Sequence, residues 1–213
     1  MTPVPLVHCN SVLCLGAHSD DIEIGCGGTL LRLIAENPKL TCHWVVFSGE
    51  GKRKAEARRS AQEFLKGCGK SKIVIHDFRT SFFPFVGEKI KDSFEELKRQ
   101  CQPDLVFTHY RDDRHQDHRV ISDLTWNTYR DHLILEYEIP KYDGDLGSPN
   151  LFVRLDEATC RRKTSNLSKF FPTQRTKSWF TEDTFLSLLR IRGVECAAPD
   201  KYAEAFYCRK LAV

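Results

Sequence analysis

No stretch of the 213-residue chain approaches the roughly 20 consecutive apolar residues that a membrane-spanning helix needs. The first ten residues carry neither a basic segment nor a long apolar one, so no secretory leader is expected. Charge of one sign is also lacking. Thirty-two Lys and Arg against 29 Asp and Glu leave a formal net charge of +3, with the basic residues scattered, which argues against a nucleic-acid partner. The nine cysteines include no C-x-x-C pair, and an odd number cannot pair completely. Cys14, Cys26, Cys42 and Cys101 sit in apolar contexts, as small buried hydrophobes do, and a reduced, cytoplasmic protein is expected. Internal repeats, low-complexity tracts and a domain linker are absent as well, so residues 1–213 are expected to form one domain.

What is present is an alternation. Apolar, β-branched or aromatic runs at 12–17, 41–48, 72–76, 104–108, 133–139, 151–155 and 202–209 read as strands. Helical patterns fill 53–66, 88–101, 116–129, 156–170 and 181–190, and Gly27-Gly28 read as the opening of a helix that Pro38 closes. In the helix at 88–101 Ile90, Phe94 and Leu97 share one face. Pro84 makes 81–86 a loop, and glycines and prolines make 142–150 another. The alternation predicts an α/β fold: a Rossmann-like, doubly wound, mostly parallel sheet with helices on both faces.

Two polar clusters follow the first and fourth strands. In open α/β sheets ligands collect beyond the carboxyl ends of the strands, where the winding reverses. Ala17-His18-Ser19-Asp20-Asp21-Ile22-Glu23 crowds an imidazole and three carboxylates into six residues, which is unfavourable unless a cation offsets it. Arg114-His115-Gln116-Asp117-His118 spaces two histidines three apart, on one side of a helical turn. Two imidazoles and a carboxylate are the ligand set of many catalytic zinc sites, and His18, Asp21 and His118 would fill it. Asp20 would then be free as a general base, His115 would act on the reacting group, and Asp117 would hold the His115 ring in one tautomer. Capped helix starts are the competing reading, since Ser19, Asp20 and Asp117 are good caps. A dinucleotide site is another, because Gly25-x-Gly27-Gly28 follows a strand. Leu30 stands where its third glycine belongs, however, and three acids would face a pyrophosphate.

Ala17-His18-Ser19-Asp20-Asp21 with Glu23, Gly25 and Gly27-Gly28-Thr29, followed by His115-x-Asp117-His118, resembles the LmbE-like (PIG-L) family. The family comprises zinc-dependent deacetylases of N-acetylglucosamine-containing compounds. Arg53-x-x-Glu56, Glu136 to Pro140 and Tyr202 to Phe206 resemble segments of its bacterial sugar-modifying branch. The resemblance implies His18, Asp21 and His118 as metal ligands, Asp20 as general base and His115 as second catalytic residue with Asp117 beside it. It also implies Arg53 and Glu204 as substrate-binding residues. Zinc, one ion per chain, is the expected cofactor, with ferrous iron as the other candidate. The expected partner is a small N-acetylated amino sugar or its conjugate, with the oligomeric state left open. A metal hydrolase of another N-acyl amide, such as an antibiotic or thiol precursor, stays open beside it, as does a non-catalytic nucleotide-binding module. One departure stands out: Ser19 occupies the place of the family's usual proline. Phe82, Phe83 and Phe85 are candidates for a sugar-stacking surface or for core, and Asp112 and Asp113 for support of the site or plain loop. His8, His43, His76, His109 and His132 read as structural or surface residues.

Overall fold

The computed structural model describes residues 9–212, so His8 and the rest of segment 1–8 lie outside the described residues. Seven strands, β1 (Ser11–Gly16), β2 (Thr41–Val46), β3 (Lys70–Ile75), β4 (Leu105–His109), β5 (Leu133–Tyr137), β6 (Leu151–Leu155) and β7 (Tyr202–Cys208), form one sheet in the order β3-β2-β1-β4-β5-β7-β6. The first five are parallel, and β7 runs antiparallel to both neighbours.

Helices α1 (Asp21–Glu36), α2 (Gly51–Phe64), α5 (Glu157–Phe170) and α6 (Glu182–Glu195) pack together over one face. Helices α3 (Gly87–Gln100) and α4 (Gln116–Thr128) cover the other. Alternation along β1 divides the core accordingly. Val12 and Cys14 point into the larger apolar cluster, with Trp44, Phe64 and Phe206, while Leu13 and Leu15 point into the smaller, with Phe47 and Phe94. Ile90, Phe94 and Leu97 are the buried stripe of α3, as their spacing predicts. The expected doubly wound, mostly parallel architecture is the one observed.

The point that positions the site is the pairing of β1 with β4, Val12 opposite Leu105 and Cys14 opposite Phe107. From β1 the chain winds outward through β2 and β3, and then returns to lay β4 on the other side. The winding therefore reverses between β1 and β4, and the two polar clusters emerge side by side from adjacent carboxyl ends.

Helix α1 departs from expectation. It begins at Asp21 rather than at the glycine pair, so Asp21 and Glu23 occupy its first turn, where acids suit the positive end of the helix dipole. The glycines lie inside the helix because other elements press on it. A Cβ at Gly25 would lie 2.1 Å from the Tyr137 ring, and one at Gly28 would lie 2.5 Å from Leu155. Tyr137 has little room to yield, because its hydroxyl donates to the Leu15 carbonyl at 2.6 Å. Gly25→Ala is expected to destabilise the fold by about 1–3 kcal/mol, read as a lower urea midpoint at unchanged slope.

Candidate metal centre

The turn between β1 and α1 is held from below and from beside. The His18 amide donates to Asp21 Oδ2 (2.6 Å), and the Ala17 amide donates to Nε2 of His109 at the end of β4 (2.9 Å). Ser19, fully buried, donates its hydroxyl to the Ser48 carbonyl (3.3 Å), a tie that proline in its place would not make. On the second cluster His115 is the N-cap of α4, its Nδ1 accepting the Asp117 amide (3.2 Å). His118 falls in the first turn, 2% exposed.

His18 Nδ1, Asp21 Oδ2 and His118 Nε2 face one another, with separations of 3.1 Å between the two nitrogens and 3.5 and 3.6 Å from them to the oxygen. Donors bound tetrahedrally at about 2.1 Å lie roughly 3.4 Å apart, so the triangle has the size a zinc-like ion requires. Chemistry agrees with geometry. The other nitrogen of each ring is engaged by a carboxylate, His18 Nε2 by Asp117 (3.0 Å) and His118 Nδ1 by Asp113 (2.9 Å). With those nitrogens donating, two imidazole lone pairs and a carboxylate oxygen converge on one point, an arrangement that calls for a cation.

The buried charges of the cluster perturb one another strongly. Burial opposes protonation of His18, but Asp21 and Asp117 outweigh it and raise its pKa to about 9. Burial, aided by His109, drives His118 down to about 3. Burial would raise Asp21, yet the surrounding His118, His109 and His18 hold it well below the usual carboxylate range. Asp20, 3% exposed, is pushed upward by burial, and the Arg53 guanidinium, 3.1 Å away, restrains the rise. Two overlapping trios among the described residues could hold an ion: His18, His115 and His118, and Asp21, His109 and His118.

Most of the sequence-derived candidates thus meet in one place, and three details differ. Asp117 does not steady His115 through its carboxylate, which is spent on His18 and on the amides of Ser81 (2.6 Å) and Phe83 (3.1 Å). It is the Asp117 main-chain N–H that fixes the His115 tautomer, leaving the proton on Nε2. Glu204 is not at the centre. It lies on β7 under α1, accepting the amides of Gly28 and Thr29 (2.7 Å each) and pairing with Lys163 (2.6 Å), so its carboxylate is engaged away from the donor triangle. His109, read as structural or surface, lies in the floor of the centre, 3.2 Å from Asp21 and stacked on His118 at 4.0 Å between ring centres. Its position as the last residue of an apolar strand entering the second cluster was the available signal. Phe83 is buried core beside His18, whereas Phe82 and Phe85 remain exposed at 37% and 79%.

The family model described as PIG-L, GlcNAc-PI de-N-acetylase, matches residues 13–129, a span that contains both clusters. The chain belongs to the PIG-L family. An uncharacterized deacetylase of Escherichia coli K12, YaiS, is 30% identical over 138 residues, 61% of this chain and 74% of that one. Among solved structures, the N,N'-diacetylchitobiose deacetylase of Pyrococcus horikoshii matches with a TM-score of 0.70 at 22% identity, covering 96% of this chain and 85% of its own. The 4-carboxy-2-hydroxymuconate hydratase of Pseudomonas putida KT2440 matches at 0.76 with 17% identity, covering 96% and 98%. At such identities these structures speak for the fold, which PIG-L deacetylases share with a hydratase. The reaction has to be argued from the centre itself.

Proposed function

We propose that residues 1–213 form one deacetylase domain, a divalent-metal-dependent hydrolase that removes the N-acetyl group of an N-acetylglucosamine-type sugar or sugar conjugate. The observation that carries the reading is the convergence of His18 Nδ1, Asp21 Oδ2 and His118 Nε2 with Asp20 beside them, in a chain of the PIG-L family. These three residues hold the ion, zinc or ferrous iron. When bound, such an ion acidifies water and polarises a carbonyl.

The remaining residues divide the proton work. Asp20 takes the proton of the attacking water as its oxygen adds to the acetyl carbon. His115, whose pKa burial lowers, offers Nε2–H to the oxyanion that develops on the acetyl oxygen. The C–N bond then breaks, the amine leaves with the proton, and acetate remains. Arg53 orients Asp20, and its buried Nε, which has no partner among the described residues, is left for a substrate oxygen. No helix among the described residues is long and apolar enough to cross a membrane, and all nine cysteines are free thiols, which supports a cytoplasmic setting.

The test joins metal analysis to amine release. Purified protein is expected to carry about one zinc or ferrous ion per chain. It should liberate primary amine from N-acetylglucosamine conjugates and stop when a chelator removes the ion. Protein that takes up no ion, or whose amine release ignores the chelator, would end this reading. Release only from other N-acylated compounds would move the substrate and leave the chemistry.

A further inference from the structure

Behind the metal triangle lies a buried lysine to which neither the family motifs nor the reaction assigns a task. Lys141 follows β5, and its side chain is only 7% exposed. Its ammonium sits 3.0 Å from Asp113 Oδ2 and pairs with Asp145 as well. Asp113 is the carboxylate on which the second cluster hangs. Oδ1 accepts the His115 amide (2.8 Å), and Oδ2 accepts the His118 Nδ1–H (2.9 Å). Asp145 in turn accepts the Arg114 amide (2.7 Å), so one ammonium ties residues 113, 114 and 145 together.

We propose that Lys141 is a positioning residue of the metal centre: by fixing Asp113 from behind, it sets the direction of the His118 lone pair and the placement of His115. The inference rests on the metal-site reading. Its physical basis is that a carboxylate oxygen shared between an imidazole N–H and a lysine is held on two sides. Without the lysine, Asp113 has one anchor fewer and is a buried negative charge with less to balance it. Arginine would serve in the same place, since its fork can reach both Asp113 and Asp145.

The experiment is a zinc titration of metal-stripped protein against a chromophoric chelator. Lys141→Met is expected to bind zinc about 10–100-fold more weakly than the wild type, the range typical when support of a ligating histidine is removed. Lys141→Arg should recover most of that loss. Circular dichroism and the urea midpoint of the metal-free proteins verify that the variants fold, and Lys141→Gln takes the place of the methionine variant should the latter fail to. A folded Met or Gln variant with wild-type zinc affinity would overturn the inference, as would an Arg variant no better than Met. Those outcomes leave the metal site standing. A wild-type chain that takes up no zinc would sink both.

Discussion

Asp20→Asn should keep the ion and lose the reaction. The amide preserves size and can still accept from Arg53, so the turn that presents His18 and Asp21 is undisturbed. What disappears is a carboxylate able to take a proton, a contribution worth about 10²–10⁴ in kcat. Asp21→Asn is expected to behave otherwise. Its Oδ2 is one corner of the donor triangle and also accepts the His18 amide, so metal and turnover fall together. Metal content by mass spectrometry beside kcat on the same samples separates the two. Near-normal turnover in a metal-replete Asp20→Asn protein would remove Asp20 from the role of base. Loss of metal in that variant would instead make Asp20 part of the donor set.

The contrast also shows why the centre was legible early. Apolar runs marked β1 and β4, and acids and imidazoles at their ends could be weighed as ligands from residue type and spacing alone. The step that spacing could not supply is that β1 and β4 are neighbours, which comes from the winding of the sheet. Long-range partners account for the other differences. The glycines of α1 read as a helix start because their reason for being small, Tyr137 and Leu155, lies more than a hundred residues away. For Asp113 the sequence leaves support of the site and plain loop both open, and its contacts with His118 and Lys141 decide for support. Glu204 sits in a segment that resembles the family's, and resemblance gave no direction for its side chain. The sheet turns it under α1 rather than toward the metal.

Glu204 and Lys163 give the largest expected effect on stability. Both are almost fully buried, and they meet helix α1 at one place: Lys163 donates to the Ile24 carbonyl (2.6 Å), while Glu204 accepts from the Gly28 amide (2.7 Å). Ile24 and Gly28 are four apart, the carbonyl and amide that a regular helix would bond to each other. Lys163→Met therefore strands Glu204 as an uncompensated buried charge and is expected to cost about 3–5 kcal/mol in urea unfolding. Adding Glu204→Leu removes that charge. The double variant should accordingly be more stable than Lys163→Met alone, a coupling that a double-mutant cycle reads directly. Penalties that simply add would mean the pair is not a unit. Kinetics of the same proteins test the role of Glu204: folded Glu204→Gln should keep the wild-type KM while losing stability, because its carboxylate holds α1 from below and does not touch substrate. A KM raised tenfold or more, about 1.4 kcal/mol of lost binding, in a fully folded sample would return Glu204 to the binding site.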